Sequence, residues 1–242
     1  MYGKLEEETF PRGINSNLNL SAFLVRGGAC ALAISGLFIL SPLLIVCAAL
    51  IRFCSPGSVF FRQKRVGRGG KIFTLYKFRT MVESNHGLPI TADNDCRITG
   101  FGRILRKTKL DELPELYNIL LGDMSFVGPR PEVVEMVDFK NPLWRKVLSV
   151  RPGITDPVTL EFRNEESLLV NVEDKSKFYR EVIQPYKIDG YLRYLKTKCL
   201  RRDLMIVAET FKVVLLPKTA PPIRLSEIQK FATTENCLKN KF

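Results

Sequence analysis

The longest apolar stretch of the chain covers residues 29–51 and contains no charged side chain. At roughly 23 residues it is long enough to cross a bilayer as a helix, and its all-round apolarity favours a membrane segment over a buried core helix. A polar stretch with Glu6, Glu7 and Glu8 precedes it, which argues against a cleaved signal peptide. Residues 1–20 are predicted to form a loose N-terminal arm.

Ser41 and Pro42 lie near the middle of this stretch. Proline removes a backbone donor and crowds the carbonyl four residues earlier, so the helix is predicted to bend here. Each arm of roughly 12 residues is about 18 Å long, shorter than the hydrocarbon core of about 30 Å. Positive residues flank both ends, which predicts that both ends stay cytoplasmic. We therefore expect a re-entrant hairpin over residues 21–54; a kinked helix that spans the membrane is the alternative.

The pattern after residue 55 predicts a small domain with both strands and helices. Residues 58–81 read as two strands around a Gly-rich turn, because GRGGK lacks the spacing of a phosphate-binding loop. The polar loop at residues 83–99 is a candidate lid. Helices are predicted between residues 100 and 122, with an interruption near Asp111, and again over residues 131–139. Residues 151–157, RPGITDP, predict a turn.

Residues 174–216 alternate basic and apolar side chains at helical spacing. Such a segment either lies on a membrane surface, with its basic face among the headgroups, or packs on the domain as an ordinary amphipathic helix. Residues 217–242 are predicted to be a tail. The resulting fold is α+β and mostly helical. A re-entrant membrane hairpin precedes a catalytic domain, residues 55–216, with a β-hairpin and amphipathic surface helices.

Composition narrows the class of partner. Lys and Arg number 37 against 25 acidic residues, a formal net charge of +12, which indicates a polyanionic partner. Anionic lipid and phosphorylated substrates are favoured over nucleic acid, for which no recognition motif is present. The six cysteines show no C-x-x-C spacing and indicate free thiols in a reducing compartment. Because the single histidine, His86, lies in a loop, mechanisms built on a histidine base are not indicated.

The candidate chemistry centres on two adjacent carboxylates, Asp111 and Glu112. They lie between a cluster of Arg and Lys and the rigid Gly-Pro-Arg-Pro turn at residues 128–131. Phosphate repels a lone carboxylate, but one flanked by guanidinium groups and a metal can approach it. The common alternative is an ordinary helix N-cap, with Pro114 at an early helical position.

Four cations are predicted to bind substrate phosphate. Arg130 stands between two prolines and so loses little entropy on engaging an anion. Arg106 lies about one and a half helical turns before Asp111. Lys77 and Arg79 alternate on one face of the predicted strand, so that both are expected to face the site.

Several short segments, occurring in order, resemble the bacterial sugar transferases, which are monotopic phosphoglycosyltransferases that start lipid-linked glycan assembly. A set of linked motifs is far more specific than any one of them. One departure is Cys96, where relatives more often carry Pro. The resemblance covers roughly residues 20–215, and its segments are Ser41-Pro42, YKFRTM at 76–81, RIT at 97–99, LRKTKLDELPELYNIL at 105–120, GDMSFVGPRP at 122–131 and RPGIT at 151–155.

The resemblance implies transfer of a phosphosugar from a nucleotide diphosphate sugar, expected to be a UDP-sugar, to polyprenyl phosphate. It implies that Asp111 is the nucleophile of a covalent phosphosugar intermediate, and that the enzyme lies on the cytoplasmic face of the bacterial inner membrane. A homodimer is expected from related proteins. A membrane-bound diphosphate hydrolase and a non-catalytic membrane adaptor are the alternatives.

Magnesium is the cofactor that the resemblance implies. Because magnesium prefers oxygen ligands, its predicted ligands are Asp111, Glu112 and Asp123, although an aspartate such as Asp123 more often caps a turn. Glu112 would position the metal or tune the ionisation of Asp111.

Overall fold

A computed structural model describes residues 16–82, 95–170, 172–219, 226–228 and 230–231. Most of the predicted arm, most of the predicted lid with His86, and most of the tail lie outside these residues. The described chain is mostly helical with a small antiparallel hairpin, which confirms the predicted class. The cysteines within it are free thiols, as predicted: Cys30, Cys47, Cys54, Cys96 and Cys199.

The apolar stretch forms two helices, α1 (Ser16–Ile39) and α2 (Ser41–Cys54), which meet at the predicted bend. Ser41 Oγ donates to the Phe38 carbonyl at 2.7 Å, the carbonyl that Pro42 deprives of its backbone donor. Among the described helices, none alone has the length and apolarity of a membrane span. Only the pair Val25–Ile39 and Ser41–Cys54 meets both criteria, and its two arms are bent by 60°. The re-entrant topology stays a prediction.

The bent pair leaves much of its apolar surface uncovered. Ala33 on α1, and Cys47 and Ile51 on α2, are buried against the domain. An exposed apolar surface of this extent marks an interaction with another protein or a membrane. Its exposed side chains include Val25, Leu32, Ile34, Phe38, Ile39, Leu43, Ile45, Val46, Leu50 and Phe53.

The predicted hairpin is confirmed. Strands β1 (Phe60–Val66) and β2 (Ile72–Phe78) pair antiparallel, with Phe60 opposite Phe78. The GRGGK segment forms the turn between them, in which Gly69 and Gly70 have φ of 67° and 76°. Glycine tolerates this left-handed backbone at no steric cost, which explains the Gly-rich turn.

Two helices and a pair of short strands follow. They are α3 (Gly100–Thr108), α4 (Glu115–Leu121), β3 (Ser125–Val127) and β4 (Gly153–Thr155). The turn predicted at residues 151–157 is wrong in part, because β4 pairs parallel with β3. The two backbones meet so closely that a Cβ added to Gly153 would lie 2.2 Å from the Gly128 nitrogen.

The helix predicted over residues 131–139 is wrong. Only a 3-10 turn, Val134–Met136, forms within it. Val133 adopts an extended conformation and forms a bridge with Arg65 of β1, which holds this segment against the hairpin and prevents a continuous helix.

The remaining helices enclose the largest core, which includes Trp144 and Tyr191. Along residues 174–216, α8 packs on the domain and buries Ile188 and Tyr194, whereas α9 exposes an apolar face. Contact of α9 with a membrane surface stays a prediction. That face consists of Leu200, Leu204, Met205, Phe211 and Leu215. The helices are α5 (Pro142–Val147), α6 (Pro157–Glu161), α7 (Lys175–Phe178), α8 (Gln184–Lys196) and α9 (Leu200–Leu215), with a π-helical turn at Tyr179–Ile183 between α7 and α8.

Candidate active site

The two adjacent carboxylates lie on a sharp connection between α3 and α4. After α3 the backbone passes through Lys109, the only non-glycine residue with positive φ in the described chain, at 60°. A 3-10 turn, Leu110–Glu112, follows and turns Asp111 and Glu112 inward, where they are 8% and 9% exposed. Residues in sparsely populated backbone conformations cluster at functional sites, and this one lies two residues before Asp111.

Asp111 is not a helix cap. The residue at the N-cap position of α4 is Pro114, and no side chain caps this helix. Asp111 Oδ1 is buried and accepts no hydrogen bond from the described residues. Burial raises the pKa of Asp111, while the positive charge of Lys77 opposes this rise. A carboxylate with weak solvation and an unused lone pair is a competent nucleophile once it is ionised.

Glu112 is held differently. Arg130 binds it in a bidentate manner, with Nη1 3.2 Å from Oε2 and Nη2 donating to Oε1. Lys77 Nζ donates to Oε1 at 3.1 Å. Burial would raise the pKa of Glu112, but Arg130 and Lys77 outweigh it and hold that pKa well below its ordinary value. Glu112 is therefore a fixed anion that orients two cations.

A third carboxylate, Glu115, joins the site and was missed by the sequence analysis. Its side chain is 1% exposed, and its Oε1 lies 3.3 Å from Lys77 Nζ. Oε2 accepts no hydrogen bond from the described residues, and burial raises the pKa of this carboxyl. The spacing offered a signal, because residues 111, 112 and 115 fall on one face of a helical segment.

Asn118 fixes the strand that carries Lys77. Its side chain is fully buried; Oδ1 accepts from the Tyr76 N–H at 3.1 Å, and Nδ2 donates to the Thr74 carbonyl at 2.7 Å. These bonds join α4 to β2 directly beside Lys77. The helix that begins next to the dyad and the strand that supplies its cation are therefore held as one unit.

Arg130 is positioned by the backbone around it. Its Nη1 also lies 3.3 Å from the Ile154 carbonyl of β4, and Arg65 Nη1 donates to the Pro131 carbonyl at 3.0 Å. A Cβ added to Gly128 would lie 2.6 Å from the Arg151 carbonyl, so glycine alone permits this approach of the loop to β4. The Gly-Pro-Arg-Pro turn is thus anchored to both strand pairs.

Arg106 and Arg79 occupy different surroundings. Arg106 forms an ion pair with Glu166, and its Nη1 lies 3.4 Å from Thr80 Oγ1. Arg79 is 5% exposed and donates to the carbonyls of Ser55 and Pro56, at 2.7 and 2.8 Å. Lys77 and Arg130 contact the dyad, whereas Arg79 links the end of α2 to the domain. Phosphate binding by these four cations stays a prediction.

The predicted metal ligands are only partly brought together. No group of three His, Cys, Asp or Glu side chains in the described chain is close enough to hold a metal ion. Asp123 is separated from the dyad because it follows the far end of α4, about 10 Å along that helix. The unpartnered Oδ1 of Asp111 nevertheless fits a hard cation, since magnesium commonly takes one or two carboxylates and completes its shell with phosphate oxygens and water.

The chain is similar to several known proteins. Residues 21–217 match the family described as bacterial sugar transferase. The UDP-N-acetylgalactosamine-undecaprenyl-phosphate N-acetylgalactosaminephosphotransferase of Aeromonas hydrophila is 35% identical over 199 residues, 80% of this chain and 44% of that protein. The UDP-glucose:undecaprenyl-phosphate glucose-1-phosphate transferase of Xanthomonas campestris pv. campestris is 38% identical over 200 residues, 78% of this chain and 38% of that protein.

A shorter relative aligns over most of its length. The exopolysaccharide production protein ExoY of Sinorhizobium fredii is 32% identical over 204 residues, 77% of this chain and 83% of that protein. The chain thus spans less than half of the first two relatives and most of the third. With the family match covering residues 21–217, the chain belongs to the bacterial sugar transferase family.

Proposed function

We propose that this chain transfers a phosphosugar from a UDP-sugar to polyprenyl phosphate through a covalent intermediate on Asp111, and so initiates glycan assembly. One observation carries the proposal: a buried carboxylate with an unbonded oxygen lies beside a second carboxylate that fixes Lys77 and Arg130. The names of the relatives, which are UDP-sugar:undecaprenyl-phosphate transferases, supply the substrate class.

In the first step, an Asp111 carboxylate oxygen attacks the sugar-bearing phosphorus of the diphosphate. The bond between that phosphorus and the bridging oxygen breaks, and the nucleoside monophosphate leaves with the bonding electron pair. In the second step, a phosphate oxygen of polyprenyl phosphate attacks the same phosphorus and releases the Asp111 carboxylate. Two displacements allow a soluble and a lipid substrate to occupy one site in turn.

The neighbouring residues favour Asp111 over Glu112 as the nucleophile. Both oxygens of Glu112 accept hydrogen bonds from cations, and its pKa is held well below the ordinary value, so its lone pairs are weakly nucleophilic. Asp111 has an unbonded oxygen and a raised pKa. Glu112 instead orients Lys77 and Arg130, whose remaining N–H donors bind the diphosphate.

Asp111 would hold magnesium, which would supply positive charge to offset that of the diphosphate and of the departing phosphate. The chain's own cations act alongside it. Lys77 and Arg130 hold the transferred phosphoryl group, and the N–H donors of Arg106 that Glu166 does not use are available for a phosphate oxygen.

The membrane part of the proposal rests on the exposed apolar surfaces. The bent pair and the outer face of α9 expose large apolar side chains, and α1 packs on α4, the helix that follows the dyad. A re-entrant hairpin in the cytoplasmic leaflet would place Asp111 where a soluble nucleotide sugar meets a lipid phosphate. Anionic lipids would be attracted by the net charge of +12.

The test is a panel of UDP-sugars offered to the purified chain with magnesium and polyprenyl phosphate. We expect nucleoside monophosphate release and a lipid diphosphate sugar with at least one UDP-sugar. Without the lipid, intact-mass analysis should find one sugar phosphate on the protein. Asp111→Asn should lose both signals, with turnover lower by about a thousandfold or more. Asp138→Asn, at an exposed position, is the control.

Two outcomes would overturn the proposal. Wild-type turnover by Asp111→Asn would exclude this residue as the nucleophile. Nucleoside monophosphate release with water as the preferred acceptor would indicate a diphosphate hydrolase.

A further inference from the structure

Two arginines from distant parts of the chain converge on the C-terminal end of α4. Arg26 of α1 donates through Nη2 to the Leu120 carbonyl at 3.1 Å. Arg151 donates through Nε to the Gly122 carbonyl at 3.0 Å. A Cβ added to Gly122 would lie 3.4 Å from Arg26 Nη2, so the Arg26 guanidinium lies directly over this helix end. The negative end of the helix dipole favours cations here.

Arg68, exposed in the turn of the β-hairpin, lies close to the same region, because the Gly69 N–H next to it donates to the Leu148 carbonyl at 2.8 Å, just before Arg151. Burial lowers the pKa of Arg151, and the charges of Arg26 and Arg68, which each repel it, lower that pKa further. Within the described residues, none of the three forms an ion pair with a carboxylate. The chain therefore brings three positive charges together without neutralising them.

The helix end alone does not account for this cluster. Each guanidinium carries five N–H donors, and Arg26 and Arg151 each give one hydrogen bond to a carbonyl of α4. Arg68 makes no side-chain hydrogen bond within the described residues. Many donors, with three positive charges and no carboxylate ion-paired to them among the described residues, match an anion with several oxygens, of which phosphate is the best fit to guanidinium geometry.

The apolar surroundings identify the source of that phosphate. Val25, next to Arg26, is 58% exposed, and Leu121, between the two bound carbonyls, is 53% exposed. Arg26 also stands at the start of the bent pair, whose exposed side chains continue along α1. Charged heads beside exposed apolar side chains are typical of the headgroup level of a membrane.

We propose that Arg26, Arg68 and Arg151 form a binding site for the phosphate of an anionic phospholipid headgroup. This rests on the membrane association in the proposed function, but not on the chemistry of Asp111. The site lies at the end of α4 that faces away from the dyad. Because α4 begins shortly after Glu112, a lipid held at its far end fixes the height of the dyad relative to the headgroups.

The test measures lipid retention by the full chain, purified in a neutral detergent, with native mass spectrometry. The chain is equilibrated with phosphatidylglycerol or with phosphatidylcholine. We expect retention of one phosphatidylglycerol in preference to phosphatidylcholine. Arg68→Glu should weaken that retention by about fivefold or more, the effect of one basic residue near an anionic surface. Because the Arg68 side chain makes no hydrogen bond in the described residues, this variant tests binding without disturbing the fold.

A matched control and a second variant complete the design. Lys140→Glu makes the same charge change at an exposed position of the domain and should retain phosphatidylglycerol as the wild type does. Arg151→Gln should lose the preference for phosphatidylglycerol, and its thermal midpoint reports whether it is folded.

Equal retention of the two lipids by the wild type, or equal losses in Arg68→Glu and Lys140→Glu, would overturn the proposal. So would displacement of the lipid by inorganic phosphate at equal concentration, which would indicate a site for a soluble anion. Because retention is read without turnover, the result is independent of the nucleophile assignment.

Discussion

The guanidinium of Arg130 pairs with both carboxylate oxygens of Glu112. Glu112 precedes α4, whereas Arg130 lies in the Gly-Pro-Arg-Pro turn after β3, so the pair joins two separate parts of the chain. The pair is largely buried, with 25% and 11% of the two side chains exposed. Its geometry fixes the direction of the guanidinium plane and leaves the adjacent Asp111 without a competing cation bonded to Oδ1. One carboxylate of the dyad therefore organises the cations, and the other keeps an unbonded oxygen, as the proposed nucleophile requires.

Variants of Arg130 should distinguish the effect of its positive charge from the effect of its planar guanidinium geometry. Arg130→Lys keeps the charge but loses the planar fork, so we expect kcat/KM to fall by about 10- to 100-fold. Arg130→Leu leaves the buried Glu112 with Lys77 but without its bidentate partner, which should cost about 3 kcal/mol of stability and lower Tm. The double variant Arg130→Leu with Glu112→Gln should recover part of that Tm. A double variant as unstable as the sum of the two single variants would contradict this coupling.

The pH dependence of the first step should report Asp111. Attack needs the ionised carboxylate, so the single-turnover rate of nucleoside monophosphate release should fall as the pH decreases through the raised pKa of Asp111. Lys77 lowers that pKa, so Lys77→Met should move the acidic limb of the pH–rate profile to higher pH.

Lys64→Met is the control for Lys77→Met. Lys64 lies on β1 and donates to Thr74 Oγ1 at 3.0 Å. Its replacement should leave the acidic limb where it is. If both variants shifted the limb equally, the shift would reflect the net charge of the protein and not the contact at the dyad.

The sequence predicted the parts of the site that lie close together along the chain or carry an unusual local pattern. The dyad, the Pro-flanked Arg130 and the Ser41-Pro42 bend are all of this kind. Contacts between residues that lie far apart in the sequence could not be predicted in this way. The ion pair of Arg106 with Glu166 joins residues 60 positions apart, and nothing in the local sequence selects one acid from the others.

Two predictions about the fold were wrong because the local sequence pattern was misleading. Strands β3 and β4 have only three residues each. The Gly and Pro residues around β4 are typical of a turn, although the backbone of β4 pairs in parallel with β3. The apolar spacing at residues 131–139 mimicked a helix, although the bridge from Val133 to Arg65 holds that segment extended. Tertiary pairing overrode the local pattern in both cases.

Glu115 makes a prediction about stability. Its pKa in the folded chain is raised by burial, so the folded state holds its proton more tightly than the unfolded state does. As the pH rises from the ordinary glutamate pKa through the raised value, this carboxyl reduces stability. Glu115→Gln cannot ionise, so its Tm relative to wild type should be higher at pH 8 than at pH 5, about 2 to 4 °C for each kcal/mol. Glu135→Gln, at an exposed position, should show no such trend.

Pro42 should determine whether the bent pair re-enters the cytoplasmic leaflet. Pro42→Ala restores an N–H that can donate to the Phe38 carbonyl, which now accepts from Ser41 Oγ. We expect the two arms to join into one helix long enough to cross the bilayer. In the proposed topology the basic domain after α2 is cytoplasmic, so the N-terminal end should move to the other side. A single cysteine at Gly27→Cys would report this, since no atom lies within 4 Å of a Cβ at that position.

In spheroplasts, a membrane-impermeant maleimide should leave Gly27→Cys unlabelled while Pro42 is present and label it in Pro42→Ala. A chain that retains only Cys54, which is exposed at the end of α2, should stay unlabelled with either residue at position 42. Both reporters should react after the membrane is permeabilised, which shows that they are accessible. Labelling of Gly27→Cys in intact spheroplasts with Pro42 present would mean that the pair crosses the bilayer despite its bend of 60°. A spanning pair would carry α1 out of the leaflet in which it packs on α4, and the proposed place of the dyad beside the lipid phosphate would then need another explanation.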